Sequence, residues 1–280
     1  MRNRQKTTEF FKHLALFTMV LLTLAPLFFM LTLSVKSNAQ YYQNFWAILP
    51  KPIHFEYYSH VWNYRGMGRA MFNSIFVAGI STVGVVFVAS LAAYAFARLH
   101  FWAKEFFFYM VIMLLMMPGM MTLIPAYLLV TGTFRLGNTY FALILPYIAG
   151  GQVIVIFLMR TFFASLPEEM MEAARLDGAG EVSVMLRIAM PLSRPILATV
   201  AVLTVLAVYN DFIWPLLTMT DKSMQTVIVA VRSLTSIWDP EFQLGQVQAG
   251  NVIASIPLFL LFMVASKYYI QGILTGAIKA

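Results

Sequence analysis

Six long apolar stretches constrain this chain more than any other feature of its sequence. Each is close to the roughly 20 residues that a helix needs to cross about 30 Å of hydrocarbon. Because 60% of the 280 residues are hydrophobic and 11% are charged, a water-soluble domain built from them would lack polar surface. The sequence therefore predicts an all-α membrane protein with one transmembrane domain, residues 1–280, and spans at residues 14–35, 70–96, 106–130, 140–159, 196–219 and 252–269.

The first apolar stretch has a signal peptide as its alternative interpretation. Basic residues precede it, and Ser37-Asn38-Ala39 resembles a cleavage site. Its apolar run is about 20 residues, however, which is longer than the 7–15 residues typical of a signal peptide. We therefore expect an uncleaved first helix.

The distribution of basic residues predicts the orientation of the chain. With the N-terminus inside, the inside segments carry twelve of the 19 Lys and Arg residues and the outside segments carry seven. Positive charge concentrates on the cytoplasmic side of membrane proteins. We therefore expect both termini, and the segment between the fourth and fifth spans, to lie in the cytoplasm.

That segment, residues 165–191, is the one long stretch rich in acidic residues. Its first half predicts a short helix with Ser165 and Glu168 forming a capping box. Gly178, the residue type best able to adopt a left-handed turn, would end this helix, and a second short helix would cover residues 181–190. The spacing predicts a shared inward face formed by Leu166, Met170, Ala173 and Ala174.

The same segment carries a family motif. Glu172-Ala173-Ala174, then Gly178, then Ile188-Ala189-Met190-Pro191 resembles the EAA loop of binding-protein-dependent ABC importer permeases, with Met190 where leucine is commoner. The resemblance implies a type I importer permease fold and a cytoplasmic coupling helix pair that docks into a groove of an ATPase subunit. The residues that it assigns to ATPase coupling are Glu172, Ala173, Ala174, Asp177, Gly178, Ile188 and Pro191.

The second span carries small residues at regular spacing. Ala89, Ala93 and Ala97 recur every four residues, which predicts a face that lets another helix approach closely. The neighbouring segment SLAAYAFARLHF, residues 90–101, and Asn73-Ser74 resemble the carbohydrate branch of the same permease family.

Prolines interrupt the third and fourth spans. Pro118-Gly119 and Pro125 lie in the third span, and Pro146 and Gly150-Gly151 lie in the fourth. Proline removes an intrahelical hydrogen bond, and such breaks persist at membrane depth where the backbone is buried in protein or lines a cavity. We expect these helices to surround a transport pathway, with a plain packing kink as the alternative.

The fifth span contains YNDFIWPL, and Asp211 is the one acidic residue well inside a span. A charge there costs about 2.5–3.5 kcal/mol on insertion scales, so its side chain should face protein or water. Planar polar groups and aromatic rings also suit sugars, which predicts a substrate pathway at Tyr209, Asn210, Asp211 and Trp214. The motif equally resembles the WNxFxWPL pattern common in the family, so helix packing or gating stays open as its role.

A long outside segment, residues 220–250, joins the fifth and sixth spans. In maltose-type permeases, which this chain resembles, one subunit inserts a loop from this position into the mouth of the sugar-binding protein. The resemblance implies a similar contact, and an ordinary outside cap is the alternative. The residues assigned to this contact are Thr235, Ser236, Trp238 and Asp239.

Several kinds of chemistry are missing from the sequence. It has no Gly-x-x-x-x-Gly-Lys-Ser/Thr phosphate loop, no cysteine, and no metal-ligand spacing among its four histidines. We therefore expect a transport subunit rather than an enzyme. It would bind no cofactor itself, and ATP and magnesium would bind to a partner ATPase.

These features together predict a permease subunit of an ATP-driven sugar importer, with an oligosaccharide as the expected cargo. The resemblance implies a prokaryotic plasma membrane, a second permease subunit, two ATPase subunits and an extracytoplasmic sugar-binding protein, with no nucleic acid. The alternative is an ion-coupled secondary transporter that uses Asp211, against which stands the absence of inverted repeats. The motifs are shared by importers of several sugars and indicate the class rather than the sugar.

Overall fold

The computed structural model describes residues 2–48, 50–64, 66–235 and 243–277, and their side chains except those of 2–8, 64 and 267–277. Within these ranges the regular structure is entirely helical. The α-helices are α1 (Arg2–Leu33), α2 (Asn38–Gln43), α3 (Glu56–Tyr64), α4 (Met67–Arg98), α5 (Lys104–Met113), α6 (Gly119–Tyr127), α7 (Phe141–Gly150), α8 (Gln152–Ala164), α9 (Glu168–Leu176), α10 (Glu181–Val184), α11 (Met190–Leu192), α12 (Arg194–Tyr209), α13 (Ile213–Thr218), α14 (Val227–Ser233) and α15 (Leu244–Ala277). Short 3₁₀ turns cover Leu114–Met116 and Lys222–Met224, and π-helical turns cover Leu128–Thr133 and Met185–Ala189.

Up to six membrane spans can be built from these helices. Three single helices are long and apolar enough to cross a bilayer: α1, α4 and the first part of α15. Three bent pairs reach the same length and hydropathy when each pair is taken as one span: α5 with α6, α7 with α8, and α10–α11 with α12. This arrangement confirms the predicted all-α membrane architecture.

The third and fourth spans break where the sequence predicts. The third bends by 92° between Met116 and Gly119, and the fourth bends by 43° between Gly150 and Gln152. Pro118 is extended rather than helical, with ψ 122°, and α6 starts directly after it. Proline is tolerated at the start of a helix because the missing N–H has no partner there.

The prediction of one continuous helix over residues 196–219 is wrong. The helix α12 ends at Tyr209, and a separate short helix, α13, begins at Ile213. Pro215 explains the break, because its ring nitrogen cannot donate to the carbonyl of residue 211 and its ring would clash with that carbonyl. The Asp211 carboxylate accepts the N–H of Ile213 at 3.1 Å instead, a local bond that competes with helix formation.

The chain divides into two compact units, residues 1–68 with 230–256 and residues 69–229 with 257–280. In the first unit, α1 is exposed along most of its apolar length, and its last residue, Leu33, is buried. Just beyond its end, the hydroxyl groups of Ser34 and Tyr58 lie 2.6 Å apart. The assignment of one transmembrane domain to residues 1–280 stays a prediction.

In the second unit, the core lies between α4 and α8. Ala89 and Ala93 on α4 are fully buried, as are Met159 and Phe163 on α8. Ala97 is half-buried at the edge of the same core. These positions confirm the predicted small-residue face, because the short side chains let α8 lie close to α4.

Candidate functional site

The segment between the fourth and fifth spans forms a hairpin, residues 168–192, made of α9, α10, a π-helical turn and α11. The chain reverses at Gly178, whose φ of +84° is strained for any residue with a side chain. The N–H of Gly178 donates to the carbonyl of Arg175, and the N–H of Ala179 donates to that of Ala174, which closes α9 with a left-handed residue. The prediction that Gly178 ends the first helix is confirmed.

A charged side chain holds the two arms of the hairpin together. Arg175, near the end of α9, donates from Nε to Glu181 at 2.8 Å and from a terminal nitrogen to Glu168 at 3.0 Å. These hydrogen bonds, first to Glu181 and then to Glu168, raise the pKa of the Arg175 guanidinium above its ordinary value. An arginine side chain is charged throughout the physiological pH range, so the cation at the centre of the bridge is always present.

Three local predictions for this hairpin are wrong. Ser165 caps no helix start; its hydroxyl donates to the carbonyl of Phe162 at the end of α8, and Pro167 precedes α9. Glu168 completes no capping box because its carboxylate binds arginine side chains. Pro191 does not end the second helix, because the preceding turn is π-helical and Pro191 falls at the start of α11, where its lost N–H is not needed.

The buried face of the hairpin matches the predicted one only in part, because Leu166 and Ala174 are half-buried against the core and the other two predicted residues are not. Met171 is fully buried, whereas Met170 is 46% exposed and Ala173 is exposed. Leu166 precedes α9, so helical spacing counted from it does not define a face of that helix. Met171 joins the same core as the α4–α8 contact, together with Val184 and Ala189 from the second arm of the hairpin.

The outward face of the hairpin carries most of the predicted coupling residues. Glu172, Ala173, Asp177, Gly178 and Pro191 are exposed, and Ala174 and Ile188 are half-buried against the core. Large apolar side chains share this surface, above all Leu176 at 89% and Val182 at 65% exposure. Exposed apolar side chains on an otherwise polar hairpin are typical of a surface that a partner covers. The coupling roles stay predictions.

The break in the fifth span distributes the four predicted pathway residues between two environments. Tyr209 and Trp214 are buried, and the indole nitrogen of Trp214 donates to the carbonyl of Ala142 at 2.9 Å. Asn210 is exposed and Asp211 is half-buried. Two of the four are therefore buried in the packed interior, and two are at least partly accessible. Their roles in transport stay predictions.

Asp211 has a partner that the sequence did not predict. The hydroxyl group of Tyr147, on α7, donates to the Asp211 carboxylate at 2.8 Å. A carboxylate at membrane depth requires a hydrogen-bond donor. The presence of Asp211 in the span therefore indicates that a polar side chain of a neighbouring span lies beside it. Tyr147 follows the Pro146 kink directly, but nothing in its local sequence indicates which span it faces.

Two cavities flank this hydrogen bond. One of about 480 Å³ is lined by residues of α6, the π-helical turn after it, α7 and α13, among them Leu123, Leu129 and Trp214. The other, of about 300 Å³, is lined by residues of α7, α8 and α12, and Asp211 is on its wall. Pro146, Tyr147 and Gly150 line both cavities. Residues of the broken spans thus line both cavities. That these helices surround a transport pathway stays a prediction.

The predicted contact with a binding protein falls largely outside the described residues. Thr235 is described: it is exposed, and its hydroxyl donates to the carbonyl of Arg232 at 2.7 Å. Ser236, Trp238 and Asp239 lie outside the described residues. The contact stays a prediction.

Comparisons with known proteins point to one family. Residues 84–275 match the family model described as binding-protein-dependent transport system inner membrane component. The chain is 31% identical over 279 residues, 98% of each chain, to the sn-glycerol-3-phosphate transport system permease protein UgpE of Yersinia enterocolitica. It is 29% identical over 255 residues, 91% of each chain, to the melibiose/raffinose/stachyose import permease protein MelC of Bacillus subtilis.

A solved structure has the same fold. A chain of the crystal structure of a bacterial ABC transporter involved in the import of the acidic polysaccharide alginate superposes with a TM-score of 0.81 at 21% identity. The match covers 94% of this chain and 97% of that chain. With the family match over residues 84–275, these similarities mean that the chain belongs to the inner membrane components of binding-protein-dependent transport systems.

Proposed function

We propose that this chain is one of two permease subunits of an ATP-driven sugar importer, in which it forms half of the translocation pathway and docks an ATPase through its hairpin. The observation that carries the proposal is the outward face of residues 168–192, where Leu176 is 89% exposed on a hairpin otherwise anchored in the core. A hairpin that is buried on one side and apolar on the other fits a partner's groove.

The cargo class is proposed from the relatives. The printed names of UgpE and MelC refer to glycerol 3-phosphate and to melibiose, raffinose and stachyose. All of these solutes carry hydroxyl groups that can be hydrogen-bonded by a protein. Asn210 and Asp211 offer the planar hydrogen-bonding groups that such solutes require, at a break that opens onto a cavity. An oligosaccharide is the cargo that we propose.

The assembly follows from the family. A binding-protein-dependent permease works with a partner permease, an ATPase and a substrate-binding protein, and this chain is a multi-pass component of the inner membrane. The finer proposal is a heterodimer of permeases with two ATPase subunits. ATP and magnesium would bind to the ATPase, because this chain lacks a phosphate-binding loop.

In the mechanism that we propose, the hairpin transmits the motion of the ATPase through its fit into the ATPase surface. Closure of the ATPase dimer would move the docked hairpin, with Glu172 as a charged anchor and Ala173 allowing close approach. The kinked spans would follow and open the pathway to the outside, where Thr235 and the residues after it would meet the binding protein. The chain itself catalyses no step.

Labelling of single cysteines tests the orientation and the docking together. Because the natural chain has no cysteine, Leu176→Cys introduces one reactive thiol on the outward face. We expect a membrane-impermeant maleimide to label it in inverted vesicles and not in sealed cells. Addition of the purified ATPase subunit should then protect it.

Met171→Cys is the matched control, because this neighbouring side chain is fully buried and should react slowly from either side. Labelling of Leu176→Cys in sealed cells would place the hairpin outside and refute the proposal.

Cargo is tested separately, by thermal-shift screening of the cognate binding protein against raffinose, glycerol 3-phosphate and alginate oligosaccharides. Uptake of the cargo should also survive an uncoupler, which an ion-coupled transporter would not allow.

A further inference from the structure

Two side chains at the C-terminal end of α4 contact the hairpin. Tyr94 and Arg98 are four residues apart and therefore lie on one face of the helix, one turn from each other. Tyr94 is 3% exposed, and the side chain of Arg98 is 8% exposed. A nearly buried guanidinium is costly unless its donors are all used, so its partners are informative.

Arg98 joins three elements. Its Nε donates to the carbonyl of Phe163 at 2.9 Å, near the end of α8. One terminal nitrogen donates to the carbonyl of Leu166, and the other binds the Glu168 carboxylate at the start of α9. Arg98 thus binds carbonyl groups at and just beyond the end of α8 and also holds the first arm of the hairpin.

Tyr94 holds the second arm. Its hydroxyl group donates to the Glu181 carboxylate at 2.8 Å, at the start of α10. Since Arg175 binds both Glu181 and Glu168, the contacts close into a ring that runs Tyr94, Glu181, Arg175, Glu168, Arg98 and back along α4. Several charges in one network contribute far more than an isolated surface ion pair.

The motif that the proposed function uses does not include this ring. Glu172, Ala173 and Gly178 shape the outward face and the turn, whereas all three hairpin residues of the ring point their polar groups toward α4 or each other. The ring is therefore separate from the docking surface. It fixes both arms of the hairpin to one span, and that span carries the small-residue face that packs on α8.

We propose that Tyr94 and Arg98 are positioning residues that make the hairpin and α4 move as one rigid body, so that the second span is the element driven by the ATPase. The inference rests on the proposed function, because it assumes that an ATPase moves the hairpin. It adds the span that receives the motion and the residues that connect the two.

The experiment uses the full complex with its ATPase in lipid nanodiscs and compares the nucleotide-free state with the state trapped by ATP and vanadate. Spin labels are attached at Val88→Cys, an exposed position on α4, and at Leu192→Cys, at the end of the hairpin. Pulsed electron resonance gives the distance between the labels. If the ring makes one rigid body, this distribution should be narrow and the same in both states.

Two variants open the ring at different points. Tyr94→Phe removes one hydroxyl group and leaves the packed ring system in place, and Arg98→Gln removes the charge. In both, we expect trapping to broaden the distribution and shift it beyond its nucleotide-free width. The affinity for the ATPase should stay within about twofold of the parent, as expected for changes away from an interface. Tyr94→Phe combined with Glu181→Gln should have no larger effect on the distance distribution than either change alone, because both remove the same bond.

Glu105→Gln is the matched control. Its carboxylate accepts bonds from Arg160 at 2.6 and 2.8 Å, another arginine–carboxylate pair that joins two helices, α5 and α8, without touching the hairpin. It should leave the distance unchanged. A distance that already changes on trapping in the parent would overturn the inference and leave the proposed function standing, as would ring variants indistinguishable from the parent. Failure of the parent to bind the ATPase would refute the proposed function instead.

Discussion

Two interruptions of helical structure lie in the same compact unit and are built from different chemistry. In the hairpin, the chain reverses at a glycine with φ of +84°, and Arg175 bridges two carboxylates on its two arms. In the fifth span, residues 210–212, the chain breaks ahead of Pro215 without a glycine, and Asp211 is the one charged side chain. The hairpin turn is thus held by several charged side chains, whereas the break in the fifth span contains one.

The difference follows from the surroundings. Ionised side chains are cheap where water reaches them, so the hairpin can use a network of several charges to fix its geometry. At membrane depth each charge carries a large desolvation cost. A proline breaks the helix there, and the one acid is satisfied by the local N–H of Ile213 and by one tyrosine hydroxyl from another helix. We infer that the hairpin is held rigidly, whereas the intramembrane break depends on one donor from another helix, the Tyr147 hydroxyl group.

The strongest test of the rigid turn is Gly178→Val. A left-handed conformation costs an ordinary residue about 1–2 kcal/mol, and a β-branched side chain more, so the turn should open and uptake by the complex should fall by more than about tenfold. An added Cβ would meet no atom within 4 Å, so the effect would come from the backbone and not from a clash. Uptake and ATP turnover of the reconstituted complex measure it.

Gly180→Ala is the control for that turn. Gly180 has φ of −70° and an added Cβ would also meet nothing within 4 Å, so alanine is accommodated there. Its uptake should match that of the parent. Equal activity of Gly178→Val and Gly180→Ala would show that the turn conformation does not matter for coupling.

The role of the Tyr147 hydroxyl group at the break in the fifth span is tested by Tyr147→Phe. Loss of a hydrogen bond to a charged group costs about 1.5–3 kcal/mol, so the melting temperature of the purified protein should fall clearly. Tyr140→Phe is the matched control, because its hydroxyl donates at 2.8 Å to the neutral side chain of Asn73. A neutral pair contributes about 0.5–1.5 kcal/mol, so this variant should lose less stability. An equal loss in both would contradict the special role of Asp211.

How far the sequence predicts these two breaks depends on the range of the interactions. The prolines and Gly178 act on their own backbone, so the bends at Pro118 and at the hairpin turn were predictable from local sequence. The donor to Asp211 lies 64 residues away along the chain, on another helix, and no periodicity connects the two positions. Long-range partners of this kind become visible when the helices are packed.

The same reasoning explains the errors in the hairpin. The sequence Ser-x-x-Glu at residues 165–168 fits a capping box, but the Glu168 carboxylate binds Arg98 and Arg175 instead. The two arginines offer the Glu168 carboxylate charged donors, whereas a capping box offers it one neutral backbone N–H, so tertiary contacts override the local motif. The π-helical turn at Met185–Ala189 has no sequence signal that we recognise.

A further variant separates transport from packing within the YNDFIWPL segment. Asn210 is exposed and its amide donates to the carbonyl of Leu206 at 2.9 Å, so Asn210→Ala should change stability by about 1 kcal/mol or less. If Asn210 contacts cargo, uptake should fall several-fold more than this stability change explains. Tyr209→Phe, a buried neighbour, should affect stability rather than uptake. The reverse pattern would assign the whole segment to packing.

The smallest change in stability is expected for Ser165→Ala. This variant tests whether the start of the hairpin is fixed by a local cap or by the contacts of Glu168 with the arginines. Replacement of a true N-cap serine by alanine costs about 1 kcal/mol, whereas loss of a bond between an exposed serine hydroxyl and the preceding turn costs a few tenths, by the usual scale for exposed positions. Because the Ser165 hydroxyl donates to the carbonyl of Phe162 at 2.8 Å, Ser165→Ala should leave the melting temperature almost unchanged. Ser37→Ala is the control, since the Ser37 side chain caps α2 in a complete capping box. A larger loss at Ser165 than at Ser37 would mean that the hairpin starts with a cap after all, and that the arginines are secondary to it.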